Sequence, residues 1–195
     1  MITATRIATV GFAAVLLLAP VACSGTSEEA SAPEASPADT EAPAEAVDRA
    51  PHVAIRNARL PLPDVLTGGQ PTPEQIDEAA GAGYRTIVNT RSSAEEGFEW
   101  EADRVADAGM RYVFIETPGA DGLTRENVER LAELLADPEA RPMMIHCGSG
   151  NRVGALLALK AAWVDGQDDE AALQVGLDAG LTRLEEATRH LLAQD

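Results

Sequence analysis

The stretch Met143-Met144-Ile145-His146-Cys147-Gly148-Ser149-Gly150-Asn151-Arg152-Val153-Gly154 constrains this chain more than any other. An apolar strand ends at a His-Cys pair, a tight glycine-containing loop follows, and an arginine opens an Ala/Leu-rich helix. That order places a thiol in a nest of backbone N–H groups at a helix N-terminus. Such nests bind tetrahedral oxyanions and favour thiolate over thiol. A cation in the first turn of a helix is electrostatically misplaced unless something anionic sits beside it. Arg152 therefore argues for an anion, and its guanidinium offers two parallel donors to a phosphoryl or sulfuryl group. The pattern predicts cysteine-dependent chemistry on such a group, with Cys147 as nucleophile and Arg152 as the clamping cation. Gly148, Ser149, Gly150 and Asn151 would supply the substrate-binding amides. His146 is grouped with them as a residue whose hydrogen bond orders the loop; a plain strand-end role is the alternative.

The rest of the chain supplies a frame for that loop. Val53-Ala54-Ile55 predicts a first strand, and Pro61–Pro73 a loop. Thr72-Pro73-Glu74-Gln75 predicts a helix start, with Thr72 as N-cap, Pro73 in the first position and Gln75 closing a capping box. That helix should stop at Gly83. A strand over Arg85–Asn89, a helix over Glu95–Ala108 and a strand over Tyr112–Ile115 follow. A helix opening at Leu123-Thr124 and a strand over Pro142–Ile145 complete the alternation. Three helices (152–164, 169–179, 181–193) close the chain. Alternating strands and helices imply right-handed crossovers and an α/β fold with a mainly parallel central sheet flanked by helices. In such sheets ligands bind beyond the carboxyl ends of the strands. Cys147, Arg91 and the segment Pro118–Asp121 all fall there.

The N-terminal quarter reads differently. Residues 1–22 carry a short basic region at Arg6 and an apolar run over Ile7–Ala19, too short for a confident membrane span, which is the pattern of an export signal. Ala22-Cys23 stands where a lipoprotein signal places its small residue and its cysteine. Lipidation of Cys23 is expected, with plain cleavage nearby as the alternative. Residues 23–50 are Ala-, Pro-, Ser- and Glu-rich and predict a disordered acidic tether. One domain is expected over 51–195. The expected location is the periplasm or outer cell surface, as a membrane-anchored lipoprotein.

Of 32 acidic and 15 basic residues, seven and two lie in the first fifty, which leaves the domain 25 and 13. That balance argues against nucleic acid as a partner, and against any membrane contact except through Cys23. An anionic substrate must then be held by local groups rather than by the field of the whole domain. Three histidines without ligand spacing imply no metal, and no nucleotide fingerprint implies a cofactor. With Cys23 lipidated, Cys147 has no internal disulfide partner and is a reactive candidate.

The loop His146–Arg152 resembles the phosphate-binding loop of cysteine-dependent protein tyrosine and dual-specificity phosphatases. It is more similar to the phosphatase-like domain of bacterial beta-lactamase-hydrolase-like proteins. Thr67-Gly68-Gly69-Gln70-Pro71-Thr72 resembles that family's Ser-Gly-Gln-Pro opening. Gly83-Tyr84-Arg85-Thr86-Ile87-Val88-Asn89-Thr90-Arg91 resembles its strand ending in Asn-Leu-Arg. The resemblance spans about Leu66 to Leu181. It implies a cysteine-phosphatase-like fold, a Cys147 thiophosphate intermediate and an Arg152 clamp on the phosphoryl oxygens. It also implies an upstream general acid. Asp121 is the best-placed candidate and Glu116 the fallback. Arg91 is a candidate substrate contact, with an ion pair to Glu95 or Glu96 as the alternative.

Two departures keep other chemistries open. Four residues separate Cys147 from Arg152, one fewer than in ordinary tyrosine phosphatases, and Val153 replaces the hydroxyl residue that helps the thiolate leave. The shorter spacing is that of rhodanese-type sulfurtransferases, whose cysteine carries a persulfide. The expected partner is thus a small or protein-borne phosphate, or else a sulfur donor. A non-catalytic anion-binding module is the third reading.

Overall fold

The computed structural model describes residues 52–194. The expected signal segment (1–22), the Cys23 lipidation site and the tether (23–50) lie outside them.

Five strands and six helices alternate along the described chain: β1 Arg59–Leu62, β2 Val65–Gly68, α1 Pro73–Gly81, β3 Thr86–Asn89, α2 Glu101–Asp107, β4 Arg111–Phe114, α3 Arg125–Ala136, β5 Met143–His146, α4 Asn151–Trp163, α5 Asp169–Asp178 and α6 Glu185–Leu192. The sheet order is β1-β2-β5-β3-β4. β1 pairs antiparallel with β2, and the other pairings are parallel. The sheet is therefore mixed, with one antiparallel edge strand on a parallel core.

β5 lies in the middle and is buried along its whole length. Strand side chains alternate between faces. Met143, Ile145 and Cys147 point into a cluster built with α3, α4, α5 and α6. Met144 points into the opposite cluster, with Ile76 and Ala79 of α1 and Val105 of α2. α4 is apolar almost all round because it packs against the sheet on one side and against α5 and α6 on the other.

α1 begins as its sequence dictates. Thr72 caps it, the Thr72–Gln75 box closes reciprocally, and Gly83 follows with φ 88°. Elsewhere three expectations need correction. Residues 53–55 form no strand; Val53 and Ile55 instead pack as an irregular segment against the α1–α2 side of the sheet. The region expected as loop over 61–73 contains the β1–β2 hairpin. Pro61 is tolerated because β1 is an edge strand, and Asp64 turns the chain with φ 56°. The helix expected from Glu95 starts only at Glu101, since Gly97 at φ 90° breaks any helical path through it.

Gly68 ends β2 where no side chain fits: a Cβ there would lie 2.6 Å from Ile55 Cδ1 and 2.8 Å from the Arg56 carbonyl. Its own carbonyl accepts from the Cys147 amide at 3.3 Å. Gly68→Ala should destabilise the protein by about 1–3 kcal/mol. A denaturant titration shifting by no more than an ordinary surface substitution, within about 0.5 kcal/mol, would contradict this packing.

Candidate active site

Cys147 leaves the carboxyl end of β5 and is almost fully buried at the base of its loop. The loop folds back over the sulfur, so that the Gly150 amide donates to Sγ at 3.1 Å and the Ser149 amide at 3.4 Å. Gly150 makes this possible by taking φ 91°, which side-chain-bearing residues resist. It stands as the N-cap of α4, so the sulfur sits at the positive end of that helix. Asn57 fastens the loop from outside by donating from Nδ2 to the Ser149 carbonyl at 3.1 Å.

Arg152 lies on the first turn of α4 and is held by Glu95, a residue that sequence reasoning did not place in the site. The two side chains meet through two parallel contacts, Nη1 to Oε1 and Nη2 to Oε2, the second at 3.1 Å. The Thr117 carbonyl accepts from Nη1 at 3.2 Å. Burial works against the charge of Arg152, but Glu95 and the neighbouring Cys147 leave the guanidinium above its ordinary value. Glu95 is pulled down to about 2, first by hydrogen bonding to Arg152, against the opposing effect of burial, and further by the Ser92 amide and by Arg91. Both partners shift in the direction of a mutually stabilised ion pair.

Arg91 takes the ion-pair alternative. It donates from Nε to Glu95 at 3.1 Å, from Nη1 to Gln70 Oε1 at 2.9 Å and from Nη2 to the Glu96 carbonyl at 2.8 Å. Its guanidinium also lies 4.6 Å from the centre of the Phe98 ring. With its donors so engaged, Arg91 orients Glu95, which in turn orients Arg152. Gln70, from the Gly-Gly-Gln-Pro segment, closes that chain.

His146 points to the face of the sheet opposite Cys147. Its ring is fully buried, with Nε2 2.7 Å from Glu101 Oε1 and Nδ1 3.4 Å from the Cys147 carbonyl. Glu101 also accepts from Asn89 Nδ2 at 2.8 Å, and Asn89 donates to the Tyr112 hydroxyl at 3.0 Å. Burial, with the nearby Glu101 charge, pushes that hydroxyl up to about 12. His146 is thus placed to order the loop rather than to line its mouth. The Asn151 side chain is likewise used structurally: Oδ1 accepts from the Thr182 and Leu184 amides at 2.8 and 3.2 Å.

Asp121 is exposed in the turn after β4 and makes no hydrogen bond to Cys147 or Arg152. The segment that carries it is fixed at both ends, because Asn127 Nδ2 donates to the Glu116 carbonyl at 2.8 Å and to the Gly122 carbonyl at 2.9 Å. Glu116, the fallback acid, accepts from the Ser93 amide and hydroxyl, and Ser93 holds it below the ordinary carboxylate range. That suits an acceptor, not a proton donor. Among the described residues no cluster of His, Cys, Asp and Glu is arranged to hold a metal ion.

An α/β sheet with a cysteine at the end of its central strand, amides on the sulfur and an arginine at the helix start defines a cysteine-phosphatase type of fold and loop. The chain belongs to the PTP-NADK family, described as a DSP-PTPase phosphatase fused to NAD+ kinase, which it matches over residues 58–190. It is 31% identical over 103 residues to the beta-lactamase hydrolase-like protein of Xylella fastidiosa, and 30% identical over the same length to that of Agrobacterium fabrum. Each alignment takes in 51% of this chain and 23% of the relative, so the chain spans about a quarter of those proteins. Among solved structures, a DUF442 protein of Shewanella putrefaciens superposes with TM-score 0.55 at 20% identity, over 72% of this chain and 93% of that one. The catalytic core of Siw14 gives TM-score 0.59 at 11% identity, over 74% and 88%. At those identities the structural likeness establishes the fold.

Glu95 titrates below its ordinary value of 4.5, so it lends stability that is complete above about pH 4.5 and is lost as pH falls towards about 2. Glu95→Gln should be less stable than the parent near neutral pH, with the gap closing over that acid window. Denaturant titrations across the pH range read this directly, and a gap that does not change with pH would contradict the ion pair.

Proposed function

We propose that the chain is a cysteine-dependent phosphatase acting on phosphate monoesters, and that an export signal and lipidated Cys23 tether it to the cell envelope. The observation that carries the enzymatic reading is the pair of backbone amides on Cys147 Sγ with Arg152 held alongside by Glu95. The amides stabilise a thiolate and, once phosphate is bound, the charge of its equatorial oxygens. Arg152 donates to those oxygens from the N–H groups that Glu95 leaves free.

In the first step the Cys147 thiolate attacks phosphorus. The S–P bond forms as the ester P–O bond breaks, and Asp121 gives its proton to the departing oxygen. In the second step water attacks phosphorus, its proton passes to the Asp121 carboxylate, and the S–P bond breaks to release inorganic phosphate and the thiolate. For this the turn between the two ends that Asn127 holds has to carry the Asp121 carboxyl over the loop when substrate is present.

Sulfur transfer through a Cys147 persulfide is the second reading, favoured by the four-residue spacing and by Val153, which is buried and has no hydroxyl to offer the leaving thiolate. Assays with an aryl phosphate, and separately with thiosulfate plus cyanide, decide between them. Phosphate turnover should fall at least about a thousandfold in Cys147→Ser, and by about 10²–10⁴-fold in Asp121→Asn. Thiosulfate turnover without phosphate turnover would overturn the phosphatase reading, and reaction with neither would favour an anion-binding module. For the tether, Cys23→Ser should move the protein from the membrane fraction to the soluble one; retention in membranes would contradict lipidation.

A further inference from the structure

Beside the Cys147 loop lies a polar cavity of about 370 Å³. Asn57, Arg59, Ser149, Gly180, Thr182 and Arg183 line it, and no carboxylate does. Ser149 is the shared wall, since its amide faces Cys147 Sγ while the residue itself borders the cavity. Gly180 stacks against the Gly150 carbonyl, where its Cβ position lies 3.6 Å away. The cavity therefore adjoins the site that holds the sulfur.

Its cations have no carboxylate partner, which among the described residues is true also of Arg130 and Arg141 elsewhere. Arg85, Arg91, Arg104, Arg111, Arg152 and Arg189 each rest on a carboxylate. Among the described residues no carboxylate pairs with Arg59 or Arg183, and Arg59 donates only to the neighbouring Ala58 carbonyl. Arg56 does not line the cavity but is likewise without a carboxylate partner; its side chain lies against Gly69, next to the Gly148 carbonyl. Arg59 and Arg183 thus share one cavity that no carboxylate lines, in a chain of 32 acids and 15 bases. An anion in that cavity would meet guanidinium donors, the side chain best matched to phosphate oxygens.

We infer that the Arg59–Arg183 cavity is a second anion subsite, which holds one phosphoryl group of a substrate while another lies on the Cys147 loop. The substrate class is then a small molecule carrying two or more phosphoryl groups, not a simple aryl monoester. This rests on the phosphatase reading for the reaction, but the subsite itself is tested by binding.

The probe is inositol hexakisphosphate, which presents phosphates at several spacings, titrated calorimetrically into Cys147→Ser. Arg59→Ala/Arg183→Ala in that background should weaken binding at least about tenfold, the loss of roughly one charge-assisted contact. Arg85→Ala/Arg189→Ala removes the same charge from exposed ion pairs and should leave the affinity unchanged. Equal weakening by both pairs would reduce the effect to bulk charge and overturn the subsite, as would no weakening by the first. With the active protein, hexakisphosphate should compete with aryl phosphate, and the ratio of its inhibition constant to the aryl phosphate KM should rise about tenfold in Arg59→Ala/Arg183→Ala. Absence of all phosphate turnover counts against the phosphatase reading alone, because the calorimetric arm does not depend on it.

Discussion

The site depends on one rung of the sheet. β5 is hydrogen-bonded on both sides, and its last residue, His146, is in register with Gly68 of β2 and with Asn89 of β3. The three segments that resemble the beta-lactamase-hydrolase-like domain thus end side by side. Parallel pairing makes their carboxyl ends a single rim, and each contributes one function there. Gly69 leaves room for the Cys147 loop and Gly68 accepts from the Cys147 amide, Asn89 and Arg91 organise the carboxylates, and His146–Arg152 carries the thiol. A slip of one residue in β5 would exchange the faces of His146 and Cys147. The thiol would then meet Glu101, and the imidazole would meet the α4 terminus.

From that rung two polar chains run in opposite directions. On one face, Gln70 accepts from Arg91, and Arg91, Glu95 and Arg152 continue as a relay of alternating charge that ends on the loop. On the other, Tyr112, Asn89, Glu101 and His146 form a buried series that ends on the Cys147 carbonyl. The first sets the cation that a phosphoryl group would meet. The second fixes the backbone from which the sulfur projects. Preorganised donors of this kind cost little reorganisation at the moment of reaction, which is why a short loop can still serve as an anion cradle.

Much of this was legible in the residues. The capping box at Thr72, the alternation of strands and helices, and the loop from His146 to Arg152 are local patterns, and local patterns survive folding. What was missed is non-local. The sequence shows Glu95 only as a helix start and a partner for Arg91; its contact with Arg152, 57 positions away, is not visible there. Asn127 and Glu101 are polar residues without a motif of their own, and the Gly-Gly-Gln-Pro segment does not reveal that Gln70 meets Arg91. The β1–β2 hairpin is hidden by Pro61, which an edge strand tolerates, and by Pro63, which sits in the turn. The side on which His146 falls was decidable only once Cys147 was assigned to the opposite face.

The central claim is that Cys147 carries phosphorus, and its most direct test is to look for the carried group. The full chain, mixed with an aryl phosphate and stopped by rapid denaturation, should show by intact-protein mass spectrometry a transient phosphoryl adduct that maps to Cys147. The account predicts that adduct in the parent protein and its absence in Cys147→Ser. A single added sulfur on Cys147 after thiosulfate, with no phosphoryl adduct under any phosphate ester, would contradict it.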